Sequence, residues 1–326
     1  MKYQEFLNHL RKPASRESIE DEYRFELSKL RERSFSGLYS IDEINAEIQK
    51  LTEWHNSYPQ ADFEGLSSIE MGHLLYDPFE KYSPVKIKQE IPHDVLNKIG
   101  FFRLAEEFLR MLAREGSLKL TKAGAITRNV LAELYEHRFV ADWVLDAGIS
   151  RLRREDDSPV MRSLHVIVKI SGLVRKTHGK LFLTKKGLGL IDTAKRTELF
   201  GLIFHTFTRE FNWAYNDGYP DFPLCGQACG FSIYLLSRFG NEDKAFDFYS
   251  RRFLKAFPMS IDNFESTPYS SAEKMFSHCY QIRTFSRFLE WFSLVKPIER
   301  PARPSAPKPA VRKSELFDQV FEVRKK

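Results

Sequence analysis

The 326-residue chain is 42% hydrophobic and 14% aromatic, with 28 Phe, which is enough apolar mass for one large core or about two to three smaller ones and excludes a disordered chain. A net charge of +6 is modestly basic, so it permits a polyanionic partner without demanding one. Three cysteines (Cys225, Cys229, Cys279) do not make a disulfide framework, and no apolar run reaches the about 20 residues that a membrane span needs.

The N-terminal segment is charged throughout and lacks the apolar run of a secretory signal, so a cytoplasmic protein with no membrane partner is expected. SIEDEYRFELSKLRER places Ile19, Tyr23, Leu27 and Leu30 at helical spacing. Ser40-Ile41-Asp42-Glu43 is a capping box. It opens a helix carrying Ile41, Ile44, Ile48, Leu51 and Trp54 on one side. The two helices predict an antiparallel hairpin over 1–60. A second box, Ser67-Ser68-Ile69-Glu70, opens a short helix that Pro78 stops, and YSPVKIKQEIP reads as an extended connector.

Helices resume near Pro92. FFRLAEEFLRMLAREG is amphipathic, with Phe101, Leu104, Phe108 and Leu112 on its apolar face. A further helix follows, then VMRSLHVIVKIS with Ser158 as its N-cap, and two short strands around THGK. From 193 to 296 the chain reads as aromatic-rich helices, with stripes at Phe200, Phe204, Phe207, Phe211 and at Phe285, Phe288, Phe292. Residues 297–313 hold five prolines among basic residues and read as an extended linker. SELFDQVFEVRKK would add one short amphipathic helix. Its Leu316, Phe317, Val320 and Phe321 suit a groove on a partner or on the protein's own body.

The strongest internal signal is a repeat. Gly116-Ser-Leu-Lys-Leu-Thr-Lys-Ala-Gly124 matches Gly179-Lys-Leu-Phe-Leu-Thr-Lys-Lys-Gly187. In each copy two alternating leucines suit one face of a short strand, and the Thr can cap the helix that follows. The second copy lies in GLVRKTHGKLFLTKKG, which resembles the wing of winged-helix proteins. The resemblance implies a recognition helix over Val160–Ile170 and a wing tip at Thr177–Lys180. Arg162, His165 and Lys169 would then face a groove, and Arg175, Lys176, His178, Lys180, Lys185 and Lys186 would meet phosphates. Ten basic residues against three acidic ones between Arg151 and Gly189 support this. The β-branched content of the helix (Val160, Val166, Ile167, Val168, Ile170) opposes it, because such residues want burial. The first copy shows no wing and reads as structural packing.

Leu66-Ser-Ser-Ile-Glu-Met-Gly-His-Leu-Leu-Tyr-Asp-Pro-Phe79 and the Leu-Thr-Lys-x-Gly repeat are similar to stretches of uncharacterised bacterial proteins related to plasmid and transposon passenger (TnpR-like) proteins. The resemblance covers about residues 66–190. It implies a bacterial, mobile-element or phage-defence setting and no activity.

No chemistry competes. Cys225, Cys229, His278 and Cys279 lack zinc-ligand spacing, since the second pair is adjacent. Glu210, Asp217 and Asp221 near His205 have no nuclease spacing, and GLGL at 187–190 is no phosphate loop. Neither metal nor cofactor is expected, and no catalytic residue is assigned. The expected fold is mainly α with small β hairpins: a helical hairpin (1–60), a winged-helix-like pseudo-repeat (61–192), an aromatic-rich helical domain (193–296), and a Pro/basic linker with a terminal helix (297–326). The expected function is non-enzymatic nucleic-acid binding, DNA foremost. The alternative is a protein-interaction scaffold acting through the aromatic helices and the tail.

Overall fold

A computed structural model describes residues 16–35, 39–215, 217–296 and 310–324. The chain is mainly helical, with three small antiparallel sheets among the described residues. It falls into two compact units, Met1–His73 and Leu74–Lys325. The proline run expected as a linker lies outside the described residues up to 309.

The first unit is a helical hairpin. Helix α1 spans Arg16–Phe35 and α2 spans Ile41–Ser57. Ser40 Oγ accepts from the Glu43 N–H, and Glu43 accepts from the Ser40 N–H, so the capping box forms. Tyr23 meets His55 ring to ring at 4.4 Å, and Arg33 pairs with Glu47 at 3.2 Å. One partner's number rises as the other's falls, so the helices run antiparallel. Ile19, Leu30, Leu51 and Trp54 form the core. Ile41 and Ile48 are exposed, so only the second half of the α2 stripe is buried. The second capping box also forms, with Ser67 and Glu70 exchanging bonds at the start of α3 (Ser68–Tyr76).

The second unit begins with β1 (Val85–Ile87) and a helical turn, α4 (His93–Leu96). Helix α5 (Gly100–Glu115), β2 (Leu118–Lys119), α6 (Arg128–Glu136) and the turn α7 (Trp143–Asp146) follow. Then come α8 (Pro159–Ile170), capped by Ser158, and the hairpin β3 (Val174–Thr177) and β4 (Lys180–Leu183). The sheet order is β2-β4-β3. Helix–strand–helix–helix–strand–strand with that order is the arrangement of a winged-helix module. The repeat is therefore not two modules. Its copies supply two neighbouring strands of one sheet, with Leu118 opposite Leu181 and Lys119 opposite Lys180.

Helix α9 (Lys185–Leu190) leads to α10 (Arg196–His205), which continues as a π-helical segment through Glu210. Helices α11 (Leu224–Gln227), α12 (Cys229–Phe239), α13 (Phe246–Ala256) and α14 (Ala272–Tyr280) follow; between α12 and α13 runs β5 (Lys244–Ala245). Helix α14 continues as a π-helical segment over Gln281–Leu289. The aromatic stripes are core: Phe207 stacks on Phe288 at 5.6 Å, and Phe204 meets Phe292 at 5.1 Å. Helix α5 buries ten residues because it sits between the sheet and this aromatic body. Phe102 packs on Phe200 and Phe101 on Phe292. Glu106 and Arg196 add a buried ion pair, with Nε–Oε1 at 2.7 Å, and Arg103 and Arg110 share the carboxylate. Burial alone would raise the Glu106 pKa. The Arg196 bond and the three positive charges outweigh it and hold the carboxyl below its usual range.

The tail departs from expectation. Ala310–Val311 forms β6 against β5, Phe317–Val320 makes one helical turn, α15, and Phe321–Val323 forms β7 against β1. Leu316, Phe317, Val320 and Phe321, expected to fill a groove on a partner or on the protein's own body, are buried in the protein's own core. Phe321 lies 5.7 Å from Phe204 and 6.2 Å from Phe79. The physical reason is double. The backbone of β7 satisfies the edge of β1, and its apolar side chains cover the aromatic body.

Two outcomes follow for urea denaturation. Phe317→Ala should cost about 3–5 kcal/mol, as for other fully buried aromatics, whereas an exposed peptide would show almost no change. Glu106→Gln should cost about 3–5 kcal/mol, because it leaves Arg196 buried without its counter-charge. Since the folded carboxyl titrates below the unfolded one, the stability of the ion pair is full above about pH 4.3 and falls as acid protonates Glu106.

Candidate nucleic-acid interface

The wing is set by local sequence. Strands β3 and β4 are joined by His178 and Gly179 alone, at φ 47° and 70°. Two positive φ values make a tight primed hairpin turn, which glycine adopts freely and L side chains resist. Thr184 then caps α9 by accepting from the Gly187 N–H. Gly187 has its own reason to be glycine: a Cβ there would lie 2.3 Å from the Leu173 carbonyl oxygen. In the first copy Thr121 does not cap a helix. Its Oγ1 accepts from the Ala125 N–H and closes a turn instead.

Cross-strand partners share a face of the sheet, so the register sorts the residues. Leu118, Leu181, Leu183 and Val174 lie on the inner face, and so does Lys176, the partner of Leu181, which is exposed at its margin and stands apart from the outer row. Lys119, Lys180 and Thr177 form one row across the outer face, with Phe182 and Arg175 in the next. Lys119, Lys180 and Arg175 are exposed, and Phe182 is half-buried. The Arg175 guanidinium sits 5.3 Å from the centre of the Phe182 ring and donates to Thr177 Oγ1 at 3.0 Å. The sequence contains no Asp or Glu between Asp157 and Asp192. Among the described residues no carboxylate pairs with Lys119, Arg175, Lys176, His178, Lys180 or Lys185.

The nine expected contact residues divide. Lys169, Arg175, Lys176, His178, Lys180 and Lys185 are exposed or half-exposed at the surface of the module. Arg162 is half-buried and committed elsewhere: its guanidinium lies over the Tyr215 ring at 4.7 Å, Nε donates to Tyr215 Oη, and Asp156 is 3.5 Å away. His165 is buried, with Nδ1 at 2.9 Å from Glu155. The other Glu155 oxygen accepts the Ile126 N–H at 2.6 Å, tying the turn after β2 to α8. Lys186 donates to the Ser171 carbonyl at 2.9 Å, a cation at the C-terminal end of α8.

Helix α8 cannot enter a groove. Every residue from Val160 to Val168 is buried or half-buried, and Ser163 faces Phe207, Trp213 and Trp291. The aromatic body occupies the face that a recognition helix would offer. Sequence reasoning misses Lys119 and Phe182 as outer-face residues. The repeat itself holds their signal, since paired copies would align Lys119 with Lys180.

Other groupings do not converge. Asp217 is buried in a bidentate pair with Arg283, at 2.6 and 3.0 Å, and His205 faces Glu210 on the surface. The three cysteines are buried and free, and burial pushes the Cys229 thiol up to about 12. Among the described residues no group of three metal-binding side chains gathers, and no helix is long and apolar enough to cross a membrane.

Residues 100–196 match the Y4jL N-terminal domain family. The match spans less than a third of the chain and coincides with the winged-helix-like module, from the first residue of α5 to Arg196. No curated protein and no solved structure matches the chain.

The structural and surface roles separate by stability. His165→Ala should lower unfolding free energy by about 2–4 kcal/mol, because Glu155 keeps its burial and loses a partner. Lys180→Gln should stay within about 0.5 kcal/mol. Equal effects in a denaturant titration would refute this division of labour.

Proposed function

We propose that the protein binds the phosphate backbone of nucleic acid through the outer face of its wing sheet. The supporting observation is the register of Lys119 opposite Lys180. Like charges placed directly across two strands repel, at a cost of some tenths of a kcal/mol. No carboxylate on that face relieves them, and a phosphate lying across both would. Arg175 on Phe182 adds a cation held above an aromatic plane, a surface on which a base or sugar can rest.

This differs from groove reading. With α8 covered, the contacts available are backbone contacts, which give affinity and orientation but little sequence selectivity. The protein should therefore bind duplexes of unrelated sequence with similar strength. The scaffold alternative loses its main support, because the tail residues are already buried against the protein's own body.

The test is fluorescence anisotropy with a labelled duplex over a range of salt. Affinity should fall steeply with salt. The slope of log K against log salt should shrink by about 2 in Lys119→Gln/Lys180→Gln, roughly 0.9 for each phosphate that is no longer neutralised. A salt-independent affinity, or an unchanged slope in the double variant, would exclude the wing face.

A further inference from the structure

The loop between α7 and α8 is built differently from the wing. It surrounds a cleft of about 630 Å3 whose walls include Ser150, Arg151, Arg153, Arg154 and Asp157. Its cations are all arginines, whereas the exposed cations of the wing are mostly lysines. A guanidinium offers a planar fork that pairs bidentately with a phosphate group, while an ammonium acts as a point charge. Among the described residues no salt bridge ties the guanidiniums of Arg151, Arg153 and Arg154, though Arg153 and Arg154 act on the Asp157 carboxylate through their charge. Asp157, the one carboxylate in the wall, directs Oδ2 at the backbone N–H groups of Arg153 and Arg154, at 2.9 and 2.8 Å.

The backbone beneath these arginines is fixed. Glu155 is locked to His165 and to the Ile126 N–H, and Ser158 caps α8 while donating to Asp142. Ordering a ligand therefore costs the entropy of the side chains and little of the loop. Shape adds a second argument. A duplex backbone is convex and meets flat faces such as the wing sheet. An open depression with arginines along one loop suits a small charged group or a strand end.

The geometry points to this cleft as a phosphomonoester site, taking the terminal phosphate of a nucleotide or of a nucleic-acid strand. A phosphomonoester carries about −1.5 to −2 charges at neutral pH and has three acceptor oxygens, which suits a cluster of three guanidinium forks facing a single carboxylate. The site goes beyond the wing and stands without it.

The experiment uses the full chain and two pairs of probes. One pair is a short labelled single strand bearing a 5′-phosphate or a 5′-hydroxyl, and the other is AMP or adenosine, whose own binding is measured by calorimetry. The phosphorylated strand should bind about tenfold more tightly, the worth of one or two charge-assisted bonds. Arg153→Ala/Arg154→Ala should bring that ratio to one, with an unchanged melting temperature because both side chains are exposed. Arg153→Lys/Arg154→Lys keeps the charge but should lose most of the ratio. Lys119→Gln/Lys180→Gln should weaken both strands and leave the ratio intact, so failure of the wing and failure of the cleft are read separately. Equal strand affinities, with AMP binding more tightly than adenosine only while both arginines are present, assign the cleft to free nucleotides. Equal binding within both pairs, or a preference that survives the double alanine variant, overturns the proposal.

Discussion

The buried pair of Glu106 and Arg196 governs how the second unit is put together. A carboxylate 1% exposed is costly unless its charge is answered, and here the answer comes from ninety residues further along the chain. The pair holds α5 against α10, so the winged-helix-like module and the aromatic helices share one core. Phe101 and Phe102 reach into that core from the same helix. Once the two are joined on this side, the aromatic body also covers α8. The outer face of the sheet and the α7–α8 loop are then left as the open basic surfaces of the module.

Sharing a core changes what a winged helix can do. In a free module the third helix is the reading head and the wing is an accessory. Here Arg162 is held by Tyr215, and Ser163 faces aromatic rings. The helix has become a packing element, and the accessory surface carries the charge. The chemistry of the two basic surfaces differs accordingly. The wing presents lysines along a flat strand row, while the α7–α8 loop gathers arginines around a depression.

Much of the fold is legible in local pattern. Both capping boxes, the Ser158 cap, the amphipathic face of Phe101 to Leu112 and the tight THGK hairpin rest on interactions within a few residues. Pairings over long distances are not. Nothing local says that Leu118 lies beside Leu181, so the first copy reads as structural packing and not as the neighbouring strand of the second. SELFDQVFEV carries an apolar pattern that fits a free helix, and only the unfilled edge of β1 shows why it ends as a strand. The burial of α8 is half visible, because Val160, Val166, Ile167 and Val168 are poor candidates for a solvent-facing helix. Lys119 is invisible as a contact residue until its register is known.

The pairing of β7 with β1 has a further consequence, for the order in which the structure can form. Lys88 donates to the carbonyl of Asp318, 230 residues away in sequence. A bond of that span demands that a very long loop close before any ladder bond rewards it. Until residues 310–324 arrive, Phe79 and Phe204 have one aromatic partner fewer and β1 is an open edge. A partly synthesised chain thus carries a sticky apolar seam, the kind of surface that chaperones hold. Residues 310–324 act as the clasp that closes the β1 edge and covers its aromatic neighbours.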